Sequence, residues 1–346
     1  MASPQQIVRF PAPRPRAAAG LEAEDLDDFP ESAFPVAPDV EAEYRRLCRR
    51  GYAAMARQRV VITGLARNLE SILPLSMRRI TSLMSRFADA RTVIFENDST
   101  DNTKALLRNW AATDRRVVAV SEDADDPVNP MRRCLARGTR MARYRTRCHE
   151  LVTREHPDYD AVIVVDLDVR GGWSEEGIAN SFGQQERWDF VGANGVIFRR
   201  QGLQINQLRQ YDSWALRLDD DFTPIPAASL ARIAFRRGEP LHPLMSCFGG
   251  LGIYSMAAYA AGDYFHGAED CEHVRFHRAL VAAGHDRLFL NPSLIVLYGR
   301  RHRSTDRLVR PLLEAWQTLT GRRPEPWHFA ARQPAPPAAD RRRRAA

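Results

Sequence analysis

Four short runs of aliphatic and β-branched residues set the frame for this chain: RVVITGL (59–65), TVIFEN (92–97), VVAVS (117–121) and DAVIVVDLD (160–168). Each is too short for a helix and too evenly apolar for a half-exposed strand, so each reads as a strand covered on both faces. Between them lie NLESILPLSMRRITSLMSRF (68–87) and the arginine-rich stretch 130–152, both of crossover-helix length. Strands that alternate with helices predict the α/β class, a mostly parallel central sheet flanked by helices. Further on, 190–198, 244–255 and 287–299 read as strands and 272–283 as a helix. Ligands of such sheets sit beyond the carboxyl ends of the strands, so the residues just after each run carry the functional signal.

The 346 residues suit one α/β domain, and a hydrophobic fraction of 44% with 27% charged residues is that of a globular protein. The expected domain spans 39–331, with a nucleotide-binding half at about 58–170 and an acceptor half at about 171–331. Residues 1–38, rich in Pro and Ala and then acidic, and residues 332–346, with the basic cluster Arg341 to Arg344, read as disordered tails. A net charge of +7, mostly from arginine, favours anionic partners. Five cysteines without a C-x-x-C spacing predict neither a disulfide framework nor a zinc site, which fits a reducing cytoplasm. No run approaches the roughly 18 apolar residues of a spanning helix. A lipid-linked acceptor would therefore be met from the cytoplasmic side, by peripheral contact with the inner face of an anionic membrane.

The sharpest local signal is Asp166-Leu167-Asp168 at the end of a buried run. Residues two apart in extended chain point the same way, so both carboxylates face one pocket at the sheet edge. Two hard oxygen ligands, completed by a diphosphate, suit Mn²⁺ or Mg²⁺. His302 is a candidate third ligand. A second acidic segment, Glu96 to Asp101, ends a strand and begins a helix. Asp98 and Asp101 there either cap the helix or accept hydrogen bonds from a base or ribose. Arg67, after the first strand, is placed to reach phosphate or base. Among the arginines of 130–152, Arg137 and Arg140 are the candidates for phosphate contact, on a face shared with Arg133 and Arg143. Gly249-Gly250 admits a sugar close to the backbone. The loop with Glu269, Asp270 and Glu272 either caps the next helix or positions an acceptor hydroxyl, and these three are the catalytic candidates. P-loop, dinucleotide and nucleophile-elbow motifs are all missing, which argues against those enzyme classes.

Taken in order, ENDSTDNT, YDSWALR (211–217), PLMSCFGGLGIY (243–254), EDCEHVRFH and LFLNPSLIVLYG resemble the motif succession of the fungal capsule-associated α-1,3-mannosyltransferases, glycosyltransferase family 69, over roughly 60–300. Phe248 stands where that family tends to have tryptophan. The resemblance implies a GT-A fold, a divalent metal and a nucleotide-sugar donor, GDP-mannose first, with a UDP-sugar as the alternative. The expected function is metal-dependent sugar transfer to a glycan or glycolipid acceptor, in surface polysaccharide synthesis. A sugar nucleotidyltransferase ranks below it for want of an early glycine-rich loop with a lysine. A nucleic-acid or anionic-surface binding protein ranks below it because paired aspartates repel polyanions, so no nucleic-acid partner is expected.

Overall fold

The computed structural model describes residues 28–300, except 131, 202–203, 220 and 231–232, together with a two-residue ladder that pairs Arg16–Ala17 with Trp327–His328. His302 and the basic cluster Arg341 to Arg344 lie outside the described residues.

The apolar runs form the strands expected of them: β1 (Arg59–Ala66), β2 (Asp89–Asn97), β3 (Val117–Glu122) and β4 (Ala161–Val165). They pair in parallel in the order β3-β2-β1-β4. The sheet continues through β8 (Leu251–Ser255), β5 (Phe190–Gln201), β9 (Leu288–Arg300) and the short β7 (His242–Pro243), while β6 (Gln204–Gln210) hangs from β5. Among the described residues this is one nine-stranded sheet crossing both expected halves. Six strands run one way, and β6, β7 and β8 run against them.

Side-chain alternation divides the core into two layers. Val60, Ile62, Ile163 and Val165 pack beneath α1 (Glu41–Met55), α2 (Leu73–Met84), α3 (Thr103–Thr113) and α5 (Glu175–Phe182). Val61, Val162 and Val164 pack beneath α4 (Leu135–Glu155), α6 (Met256–Ala261) and α7 (Glu272–Ala282). No helix among the described residues is long and apolar enough to cross a membrane, and all five cysteines are free.

The reversed strand β8 carries a glycine turn to the functional edge of the sheet. Because it runs against β4, with Leu251 opposite Val165, the turn that enters β8 lies at the carboxyl edge of β4. The expected strand 244–255 is therefore shorter than its apolar pattern. Gly249 and Gly250, at φ 66° and 92°, turn the chain just before Leu251. The helix expected at 68–87 likewise starts only at Leu73, since Asn68 at φ 54° belongs to a loop.

One boundary needs correction. Residues 28–38, expected in a disordered tail, include Phe29 and Phe34, which stack at 5.1 Å and pack on Val196, Phe198, Ile295 and Leu297. The Glu31 carboxylate accepts from Ser174 Oγ at 2.9 Å and pairs with Arg237. The buried Arg237 guanidinium donates to the carbonyls of Glu31 and Phe34 at 3.1 Å and to Tyr44 Oη at 2.8 Å. Two aromatic rings and a shared ion network offset the ordering cost that the segment's composition alone would not.

Candidate active site

Beyond the end of β4 burial alternates: Leu167 and Val169 are buried, whereas Asp166 and Asp168 are partly open. Asp166 N–H donates to Gly250 O at 2.9 Å, so the glycine turn of β8 fixes this stretch. Tyr298, near the end of β9, donates its hydroxyl to Asp168 Oδ2, and its ring stacks on Tyr211 at 4.1 Å. Asp166 and Asp168 lie in the turn that follows β4, near enough for the Asp168 charge to act on Asp166.

The charges around them are not balanced. Burial pushes the Asp166 carboxyl well above its ordinary value, with Arg145 opposing the rise and Asp168 adding to it. Burial also raises Asp168, against the Tyr298 hydrogen bond and the positive charges of Arg137 and Arg170. A hard divalent cation suits such a pair, which wants positive charge and offers only oxygen. Among the described residues no group of three or more His, Cys, Asp or Glu is arranged to hold a metal, and the candidate third ligand His302 lies outside them.

Arg145 was not among the expected site residues, yet it is the hub. Its Nη2 donates to Asp166 Oδ1 and its Nε to Glu272 Oε1, both at 3.2 Å, with only 4% of the side chain exposed. Its guanidinium lies 5.0 Å over the Phe248 ring, and that ring stacks on His273 at 3.8 Å. Burial works against the Arg145 charge, but Glu272 and Asp166 more than compensate. The signal was present in the sequence: Arg145 falls on the buried stripe Gly138, Ala142, Cys148 and Val152 of α4. A charge on an apolar stripe calls for a buried partner.

Asp212 is the other residue missed, although it stands in the YDSWALR segment. It comes just after β6 with its backbone at φ 53°. Burial, then Asp166 and Glu272, push it up to about 8, with Arg145 opposing. Four carboxylates, Asp166, Asp168, Asp212 and Glu272, therefore share one electrostatic environment with a single buried guanidinium.

The remaining candidates divide. Asp98, at φ 52°, accepts from the N–H groups of Ala124 at 2.8 Å and Asp125 at 3.0 Å, and its Oδ2 lies 3.9 Å from Arg67. Burial alone would raise it, but these bonds leave it below the ordinary range. Arg67 Nη2 donates to Asp126 O at 2.6 Å. Asp101 accepts from Glu70 N and Thr103 N, both at 3.0 Å, and so caps the start of α3 while tying down the β1 loop. These three residues brace the rim: Asp101 accepts from backbone, and Asp98 from backbone and from Asn97 Nδ2 at 2.8 Å. Arg140 donates to Asn129 Oδ1 at 2.6 Å, whereas Arg137 is near enough to act on Asp168.

Of the acidic loop, Asp270 is clamped by Arg217 at 2.8 Å and Arg278 at 3.3 Å, and Glu269 is exposed. Asp270, a catalytic or capping candidate in the sequence, is thus held between two guanidinium groups. Glu272 alone of the three turns inward to Arg145. Gly249 and Gly250 form the turn whose Gly250 carbonyl accepts the Asp166 N–H. A Cβ on Gly249 would lie 2.3 Å from Ala193 O.

No family model and no curated protein matches this chain. Among solved structures it is similar to the mannosyltransferase PcManGT from Pyrobaculum calidifontis in complex with GDP-Man and Mn²⁺, at 14% identity over 84% of this chain and 76% of that one, TM-score 0.40. It is also similar to glucosyl-3-phosphoglycerate synthase from Mycobacterium tuberculosis, at 18% identity over 80% and 82%, TM-score 0.40. A third is S. aureus TarS 1-349, at 12% identity over 74% and 64%, TM-score 0.40.

Proposed function

We propose that this protein is a metal-dependent glycosyltransferase of the GT-A type that moves a sugar from a nucleotide-sugar to a glycan or glycolipid acceptor. The observation that carries the reading is the pair Asp166 and Asp168 at the carboxyl edge of an α/β sheet, both raised by burial and short of positive charge. These two residues would hold Mn²⁺ or Mg²⁺; when bound, the ion offsets diphosphate charge and acts as a Lewis acid on the departing nucleotide. Arg137 and Arg170, whose charges already reach Asp168, draw the phosphates to the same place. Arg67, Asp98 and Asp101 stiffen the rim on which a base would rest. Arg145 holds Glu272 in a fixed position beside the sugar, and the glycine turn leaves room for it.

GDP-mannose is the first donor to try, because the motif succession resembles a mannosyltransferase family, and UDP-sugars are the second. Surface polysaccharide synthesis, with peripheral contact at the inner face of the membrane, is the setting that fits such an acceptor. Calorimetry with GDP, UDP, GDP-mannose and UDP-sugars, with and without Mn²⁺, tests the reading. One nucleotide should bind only with metal present, and Asp168→Ala should abolish that binding. Silence toward every nucleotide in the presence of Mn²⁺ would overturn the proposal in favour of a polyanion-binding protein, whose affinity falls steeply with salt.

A further inference from the structure

We propose that Ser76 and Arg79 of α2 are positioning residues for the metal aspartates, because they hold the carbonyls of the turn that carries Asp166 and Asp168; this rests on the glycosyltransferase reading above. The ladders of β4 end at Val165, and buried carbonyls beyond that point need donors from elsewhere. Helix α2 supplies them. Ser76 Oγ donates to Leu167 O at 2.6 Å, Arg79 Nη1 to Val169 O at 2.6 Å and Arg79 Nη2 to Arg170 O at 2.7 Å. Ser76 is 1% exposed and Arg79 8%, on the helix stripe that also buries Leu73, Ile80 and Leu83. Polar groups on such a stripe cost stability unless they are bonded, and a planar guanidinium suits two successive carbonyls.

The N–H groups of the same turn go to other elements. Asp166 N–H donates to Gly250 O at 2.9 Å, Arg170 N–H to Tyr298 O at 3.1 Å and Gly171 N–H to Leu297 O at 2.9 Å. The turn is thus fastened through its N–H groups by β9 and the glycine turn of β8, and through its carbonyls by α2. Asp168 falls between the two carbonyls that Ser76 and Arg79 hold, while its own Oδ2 accepts from Tyr298. Gly172, at φ 76°, admits the guanidinium against the chain: a Cβ there would lie 3.2 Å from Arg79 Cζ. Groups that orient a metal's ligands set its affinity along with the ligands themselves. Charge gives the proposal a sign. A guanidinium near a divalent site repels the cation, so on Coulomb grounds alone removing Arg79 would tighten metal binding, whereas a positioning role demands the reverse.

The test reads, by calorimetry, the Mn²⁺ concentration at which GDP or UDP binding is half-maximal in wild type, Arg79→Met, Arg79→Lys and Leu83→Ala, the last a core truncation on the same helix. The expected result is a Mn²⁺ requirement raised roughly tenfold by Arg79→Met and less by Arg79→Lys, with nucleotide affinity recovered at saturating Mn²⁺. Leu83→Ala should lower the melting temperature without raising that requirement. A requirement unchanged or lowered in Arg79→Met would overturn the proposal and leave the glycosyltransferase reading standing. An equal rise in Leu83→Ala would also overturn it, since loss of helix packing would then suffice. Should Arg79→Met not fold, Ser76→Ala, which removes one hydrogen bond, decides by the same readings, with an expected rise of about threefold. A wild type that binds neither nucleotide, or binds one without need of Mn²⁺, would sink both.

Discussion

Arg145 shows how much a single side chain can organise. It is the cation between Asp166 and Glu272, and it has almost no contact with solvent. Removing one member of a buried ion network leaves the others charged and unpaired, which costs about 3–5 kcal/mol. Arg145→Met should therefore lower stability by that order in urea denaturation, even though methionine fits the apolar stripe. Arg145→Lys keeps the charge but not the fork that reaches two carboxylates, so it should fall between the two. A methionine variant as stable as wild type would show that the network contributes nothing net. The same residue marks a limit of sequence reading. Arg137, Arg140 and Arg143 follow at three-residue steps along α4 and attract attention as a group, whereas Arg145 stands alone on the buried face.

At the scale of elements, strand β8 and its glycine turn connect fold to site. Gly249→Ala would place a methyl 2.3 Å from Ala193 O on a backbone at φ 66°. A loss of roughly 1–3 kcal/mol is expected, read as a lower melting temperature. Metal-dependent nucleotide binding should weaken with it, because Asp166 N–H is anchored on Gly250 O. The first four strands were legible because their runs are β-branched and apolar; AVIVV is buried on both faces, whereas β3, at the sheet edge, leaves Val118 exposed. The Asp166 and Asp168 pair drew attention as acids directly after a buried run, although the turn they occupy is not the extended chain in which a two-residue spacing fixes direction. Helix α1 was missed, as its sequence is dominated by exposed arginine and glutamate and shows its buried face only through Tyr44, Cys48 and Met55. Asp212 was missed because nothing local distinguishes it. Its environment comes from Gly249, Asp166 and Glu272, which are distant in the chain and meet only through sheet order.

Across the whole molecule, pH should act through histidines kept neutral. His277 is fully buried between Ser246 Oγ and Tyr254 Oη, and burial lowers it to about 3; His273 and His149 are also lowered by burial. Unfolding lets each take up a proton below its ordinary value of 6.5, so their contribution is complete above 6.5 and is lost as pH falls toward the depressed folded value. Asp212 and Asp166, raised in the fold, act with the opposite sign, so one histidine must be isolated by variant. Wild type should lose stability relative to His277→Gln by up to about 1.4 kcal/mol per pH unit below 6.5. Parallel urea midpoints at pH 7.5 and 5.5 would contradict this.

The packing of Phe29 and Phe34 reaches into a different matter, the order in which the chain is made. These rings leave the ribosome early, but Arg237, which grips the Glu31 carbonyl, lies 206 positions later, and Ile295 and Leu297 emerge later still. At a synthesis rate of about 5–20 residues per second, that separation is roughly 10–40 s during which the ion network around Glu31 lacks its cation. The packing of residues 28–38 is therefore complete only once Ile295 and Leu297 have been made.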